Sequence, residues 1–403
     1  MVASIHPSLF DRMVKLRRDL HRHPELSREE HRTTDRLVSE LERLGLECQR
    51  PLDTGLVAEI PGASDAPTVA IRADIDALPI HEETGLPYAS DVPGVMHACG
   101  HDAHAAMLVG AAELLMSRPE PPPAPIRLIF QPAEELGIGA RSMIEAGVLD
   151  GVGAIFGGHV DRHYPTGTVV AVSGPVNAST DGFRISISGQ QGHAARPHET
   201  VDAVVAGSLI VMAVQTIVSR EIDPTHPSVV SIGRFEAGTA SNVIAGTAVL
   251  SGTIRAQEPA VRAHLHRSIS RICESVGQLH EADIQLEIEE GTPPLVNQGP
   301  MVEVARRAAS EALGPERVRT MVRGANMGGE DFSWYLQEVP GCYVRLGARL
   351  ADSAGYPAHS SRFQIDEAVL PAGAAWLAEV AVQGGRELAT GMVDDLEAAG
   401  RAS

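Results

Sequence analysis

A change of pattern near Ser173-Gly174-Pro175 constrains the fold of this chain more than any other feature. Before it, short apolar runs at 55–60, 68–71, 127–130 and 154–156 are bounded by Gly, Pro and Asp. A stretch of helical period at 102–116 separates the second run from the third. Two further helices are expected ahead of them. Leu9, Met13, Leu16 and Leu20 share one face until His23-Pro24 stops it, and 27–44 runs up to Gly45. Strands alternating with helices predict an α/β domain built on a largely parallel sheet. After the change, 183–188 alternates as FRISIS, 229–233 reads as a strand and 248–255 alternates again, with helical stretches at 201–219 and 259–279. Three strands and two helices in that sequence resemble a ferredoxin-like β-α-β-β-α-β layer of helices on an antiparallel sheet. Beyond Gly291-Thr292-Pro293-Pro294 the first style returns, with a helix at 301–312, a strand at 341–346 and a last helix at 367–383. The expected organisation is therefore a catalytic α/β domain formed by 1–178 and 294–403, its mainly parallel mixed sheet flanked by helices. A ferredoxin-like α+β lid or dimerisation domain is inserted at 179–293.

Composition supports two domains, because 403 residues exceed the roughly 250–300 at which one core stops growing. It also removes several function classes. A formal charge of −19 leaves no basic face for a phosphate backbone, and 3% aromatics leaves no stacking platform, so no nucleic-acid partner is expected. Asp11, Arg12 and Lys15 interrupt the first apolar residues where a secretory signal would need an unbroken run. The most apolar stretch, 207–218, is too short to span a bilayer and contains Gln215, so no membrane partner is expected. Cys48, Cys99, Cys273 and Cys342 are too few for a disulfide scaffold and fit a reducing, cytoplasmic compartment.

The chemistry is concentrated in HACGHDAH, where His97, Cys99, His101, Asp102 and His104 fall within eight residues. A thiolate and imidazoles are the ligands Zn²⁺ and its neighbours prefer. Two more segments put ligand types just after a strand-like run: Glu134-Glu135 follows 127–130, and His159 follows 154–156. Sites in open α/β sheets lie at the carboxyl ends of strands. Adjacent Glu residues suit a metallohydrolase, one binding metal while its neighbour moves a proton. Asp74 and Asp76, two apart, share a face if extended, and AHSSRF supplies His359 in a loop before the last helix.

RADIDALP, HACGHDAH, QPAEE, GGH, GHAARPHETVDAV, GGEDFS and AHS, in that order from Leu16 to Phe363, resemble the aminoacylase/carboxypeptidase-type binuclear metallohydrolases. The branch resembled contains hippurate hydrolases, indole-acetyl-amino-acid hydrolases and N-acyl-amino-acid amidohydrolases. The resemblance implies two divalent ions per subunit, Zn, Mn, Co or Ni. Cys99 would bridge them, His101 and His159 would complete one site, and Glu135 and His359 the other. It implies Glu134 as general base and Asp76 as the carboxylate orienting an imidazole ligand, His101. Asp74 stands where other branches carry a metal-binding His and is expected to be structural. His193 resembles the histidine that reaches a partner subunit's active site and stabilises the oxyanion, which implies a homodimer or a tetramer. Asn242 and Arg255 resemble the segment holding the substrate carboxylate, although relatives carry Pro-Asp where this chain has Ala245-Gly246. Gly329 of the GGEDF run would line the pocket. The implied activity is hydrolysis of N-acyl amino acids. The alternatives are an N-acetyl-diaminopimelate deacetylase or a dipeptidase/carboxypeptidase of the same superfamily. A Cys99 nucleophile would leave Glu134, Glu135, His159 and His359 unexplained, and a silent metal store would not need Glu134.

Overall fold

The computed structural model describes residues 6–322, 324–351 and 355–390. They form two compact units. The larger takes residues up to 174, those from 297 to 322 and those from 334 on; the smaller takes 175–296 and 324–333.

The larger unit is built on an eight-stranded mixed sheet. Its order is Cys48–Gln49, Leu56–Ile60, Ile126–Gln131, Thr68–Asp74, Val152–Pro165, Gly341–Arg349, Val169–Val170 and Val318–Arg319. The pairings among the four central strands are parallel. Every residue of Thr68–Asp74 is buried, as expected of a strand covered on both faces. It runs three residues past the apolar stretch legible in the sequence, because Arg72 and Asp74 neutralise one another inside, Nη1 to Oδ2 at 2.6 Å. The helix His101–Met116 is buried along most of its length. Its Gly110 sits where a Cβ would lie 2.3 Å from Met13 Sδ and 3.0 Å from Ala374 Cβ, so the helices Pro7–Arg22 and Val369–Ala389 both close on it. The core runs from Leu16 and Leu20 through Ile71, Leu108, Phe130 and Phe156 to Trp376.

The smaller unit carries a four-stranded sheet in the order Ser228–Ala237, Thr247–Ala256, Asp181–Ser188, Asp283–Glu289, antiparallel throughout. With helices Ala203–Thr216 and Pro259–His280 it is a ferredoxin-like β-α-β-β-α-β layer. Asp181–Ser188 buries alternate residues, so Phe183, Ile185 and Ile187 join a core with Ile210, Leu250, Leu265 and Ile269. Ala203–Thr216 continues as a wider turn to Glu221. The apolar stretch is thus 19 residues long with a mean hydropathy of 1.7, long and apolar enough to cross a membrane by composition alone. This exceeds the run read from the sequence. Ala203, Ala206, Ile210, Val214 and Ile217 are nevertheless sealed into the core of this unit.

Candidate metal centre

All five expected metal ligands lie in the larger unit, brought together by the carboxyl ends of its parallel strands. Asp74 ends its strand opposite Gln131 in register, and the chain after Gln131 leads directly to Glu134 and Glu135. Ala133 takes a positive φ of 56° there, its amide held by Glu30 Oε1 at 2.9 Å. His159 lies within the strand Val152–Pro165. Cys99 and His101 flank Gly100, whose φ of 99° turns the chain into the helix. A Cβ at Gly100 would come within 2.5 Å of Val160 Cγ2, so only glycine fits this approach. His359 adopts φ 65°, a conformation that costs a non-glycine residue about 1–2 kcal/mol. Its amide donates to Ala98 O at 2.8 Å, tying its loop to the cysteine loop.

The ligand atoms of Cys99, His101 and His159 lie within 4.8 Å of one another, and so do those of Cys99, Glu135 and His359. The two sets share the sulfur. Cys99 Sγ is 3.2 Å from His159 Nε2, and His359 Nε2 is 3.3 Å from Glu135 Oε2. His101 Nε2 and Glu135 Oε1 are buried, make no hydrogen bond among the described residues, and lie 3.9 Å apart. Two orphaned buried polar atoms beside a thiol are costly unless something is bound between them. The borderline-soft S, N and O donors suit a divalent cation. The residues fit the implied ions.

Electrostatics favour the same conclusion. Burial, and then the charge of Glu135, push the Cys99 thiol well above its usual range. A cysteine nucleophile needs the opposite shift, whereas a coordinating cation deprotonates a thiol outright. Burial works to depress His101, but Asp74, Cys99 and Asp76 outweigh it and hold the imidazole well above its ordinary value. Burial, with His104 and Arg345, holds His159 well below it. Asp76 Oδ1 is 3.1 Å from His101 Nδ1, and its Oδ2 accepts from Ser27 Oγ at 2.7 Å and Glu135 N at 3.0 Å. One carboxylate thus orients both an imidazole and the Glu135 backbone. Glu134 Oε2 lies 4.0 Å from His101 Nε2 at the edge of the cluster, with its side chain 12% exposed.

Other histidines of the motif stand outside these two sets. His97 is buried with neither ring nitrogen hydrogen-bonded among the described residues, and burial lowers it to about 4, so it packs as a neutral ring. His104 binds Asp74 Oδ1 at 2.5 Å. Asp102 binds Arg17 and His21, partners some eighty residues upstream that no sequence pattern signalled.

The remaining expected residues belong to the smaller unit. His193 is exposed, and its Nδ1 accepts from Ala195 N at 3.0 Å, which leaves the proton on Nε2. His193 pairs with Val243 across a short ribbon, which sets Asn242 beside it; Asn242 O accepts from Ala194 N at 3.1 Å. The Ala245-Gly246 turn is held by its own carbonyls, which accept from Ala203 N at 3.0 Å and Gly189 N at 2.7 Å. Arg255, half-buried near the end of Thr247–Ala256, makes no ion pair or side-chain hydrogen bond among the described residues. At Gly329 a Cβ would lie 2.3 Å from Thr180 Cγ2, so packing alone demands glycine there.

Residues 70–383 match the family described as Peptidase family M20/M25/M40. Among curated proteins the chain is 41% identical over 373 residues to N-acetylcysteine deacetylase of Bacillus subtilis, covering 92% of this chain and 96% of the relative. It is 40% identical over 381 residues to thermostable carboxypeptidase 1 of Saccharolobus solfataricus, covering 93% and 95%. Among solved structures, a dinuclear metal-binding peptidase of the M20 family from Bacillus subtilis superposes with a TM-score of 0.83 at 38% identity. That match covers 94% of this chain and 98% of the other.

Proposed function

The chain belongs to Peptidase family M20/M25/M40, and on that premise we propose that it is a metal-dependent amidohydrolase that cleaves N-acyl amino acids into a carboxylic acid and an amino acid. The observation that carries the reading is the pair of ligand sets sharing Cys99, with orphaned atoms of His101 and Glu135 facing each other between them. Cys99, His101 and His159 would hold one divalent ion, and Cys99, Glu135 and His359 the other. When bound, such ions lower the pKa of a water and polarise the amide carbonyl.

The chain supplies the rest. Glu134 takes a proton from the attacking water and delivers it to the departing nitrogen, so the C–N bond breaks as a new C–O bond forms. Asp76 fixes His101 with Nε2 turned inward. The proton on His193 Nε2 supports an oxyanion donor, supplied from a second copy of the chain, so a homodimer belongs to the proposal. Arg255, without an ion-pair partner among the described residues, suits the substrate carboxylate, and Asn242 and Gly329 are assigned to the same role. Four free cysteines support a cytoplasmic location.

A carboxypeptidase is the second reading, favoured by the Saccharolobus solfataricus relative. Both substrates present an amide followed by a free carboxylate. The test offers N-acetyl, N-benzoyl and N-indoleacetyl amino acids, and unblocked peptides, to purified protein with each metal. Chelator-sensitive release from the N-acyl compounds is expected, with Glu134→Gln keeping its ions while turnover falls about 10²–10⁴-fold. Higher kcat/KM on unblocked peptides would favour the carboxypeptidase, and a metal-free, fully active protein would sink both.

A further inference from the structure

His104 has no part in the two ligand sets, yet its ring touches both metal-facing histidines. It lies edge-on to His159 with ring centroids 4.7 Å apart and stacks on His101 at 5.5 Å. Its own nitrogens are both engaged. Nε2 accepts from the backbone amide of Val160 at 3.0 Å, and Nδ1 meets Asp74 Oδ1 at 2.5 Å. A backbone amide can only donate, so Nε2 is bare and the proton sits on Nδ1, pointed at the carboxylate. Asp74 Oδ2 accepts from Arg72 Nη1 at 2.6 Å, and Arg72 Nε donates to Gln131 Oε1 at 2.8 Å. All four of Arg72, Asp74, His104 and Gln131 are buried.

The chain of bonds continues on the other side of the same residue, across its Cα. Val160 O accepts from His159 Nδ1 at 2.7 Å. A carbonyl can only accept, so His159 carries its proton on Nδ1 and turns a bare Nε2 toward Cys99 Sγ. The state a cation requires of His159 is therefore written by the carbonyl of Val160, and the amide of Val160 is held in place by His104. Asp74, His101 and His104 also lie close enough together to suggest an ion of their own. His104 accepts at Nε2 and carries its proton on Nδ1, so it has no vacant lone pair to offer such an ion.

We propose that His104, braced by Asp74 and Arg72, is a positioning residue that sets the tautomer and orientation of His159 through the backbone of Val160, whose amide it holds and whose carbonyl His159 meets. The inference rests on the metal reading above. Loss of such an outer partner typically weakens metal binding about 10–100-fold. The two ligand sets differ in dependence: one contains His159, while the other reaches its ion through Glu135 and His359, which His104 does not touch.

The experiment is a two-step Zn²⁺ titration of ion-free protein against a competing chelator, with circular dichroism of the ion-free protein checking the fold. His104→Phe keeps the ring packing and removes both hydrogen bonds. It is expected to shift one binding step about 10–100-fold and leave the other at the wild-type value. Asp74→Asn, isosteric and still able to accept from His104, is expected to shift the same step by less, and carries the test if His104→Phe fails to fold. Both steps unchanged, or both shifted equally, would overturn the inference while leaving the metal reading intact. Wild-type protein that binds no Zn²⁺ would overturn the metal reading and this inference with it.

Discussion

The two units contain the same small device in different surroundings. In the larger, Arg17 and His21, one turn apart on a helix, hold Asp102: Arg17 Nε and His21 Nδ1 lie 2.7 and 2.8 Å from Asp102 Oδ2. In the smaller, Arg262 and His266, also one turn apart, hold Asp181 at 2.6 and 2.9 Å. Burial separates them. Arg17, His21 and Asp102 are 2%, 1% and 0% exposed, whereas Arg262 and His266 keep 15% and 17% of their side chains in contact with solvent. The first device also recruits Glu367 to Arg17 and Glu82 to His21, so its charges are balanced inside the protein rather than by water. It stands at the first turn of the helix that begins with His101. The second clamps the start of a strand and reaches Gly291 N at 3.1 Å. The same residues thus fix the helix that carries His101 by dry electrostatics in one unit and the start of a strand by half-wet electrostatics in the other.

If burial is the difference that matters, removing the arginine should cost more in the first device. Arg17→Met strands Asp102, whose Oδ1 already accepts no hydrogen bond among the described residues. Breaking a buried pair by one partner costs about 3–5 kcal/mol, measured by chemical denaturation. Histidine titration gives this device an alkaline weakness. Burial acts to depress His21, but Asp102 and Glu82 outweigh it and raise its pKa. Its contribution is full below the ordinary value near about 6.5 and is lost as pH rises through the raised one. Stability of the wild type should therefore fall more than that of His21→Gln on the alkaline side. An equal decline would remove the charge on His21 from the account.

Arg262→Met should cost less, about 1.5–3 kcal/mol, the range for hydrogen bonds to a charged group. His266 and the Gly291 amide stay on Asp181, and solvent reaches the gap. Burial would raise Asp181, but Arg262 and His266 overcome it and lower its pKa. That stability is present above the ordinary carboxylate value near about 3.9 and is lost as pH falls below it. The difference between wild type and Arg262→Met should thus shrink in acid. A difference that stays constant to pH 2 would mean the arginine acts through packing rather than charge.

Neither device is legible in the sequence, and the reason is separation. Arg17 and Asp102, or Asp181 and Arg262, are about eighty residues apart, and nothing local marks them as partners. What periodicity can report, it reported: the alternation of FRISIS became the strand Asp181–Ser188, and the apolar stretch after HACGH became the helix His101–Met116. The strand Asp283–Glu289 alternates as regularly, but its exposed Asp283, Glu287 and Glu289 disguise it as a polar connection. Clustered motif residues such as Cys99, His101 and Glu135 stand out by type and spacing. The backbone of Val160 does not, because its contribution is an amide and a carbonyl that any residue but proline would offer.

The smallest expected effect isolates the histidine of the wetter device. His266 donates one hydrogen bond from Nε2 to Asp181 Oδ2, and a glutamine amide can reach the same oxygen from the same helix face. His266→Gln should therefore cost no more than about 1 kcal/mol, the net worth of an ordinary hydrogen bond. The matching change His21→Gln should cost more at neutral pH, because His21 is wedged between Asp102 and Glu82 with its ring packed edge-on to Tyr88 at 5.7 Å. An amide has neither the ring nor the second reach. Equal losses from the two substitutions would mean that burial is not what distinguishes the devices, and that each histidine is only a tether for its aspartate.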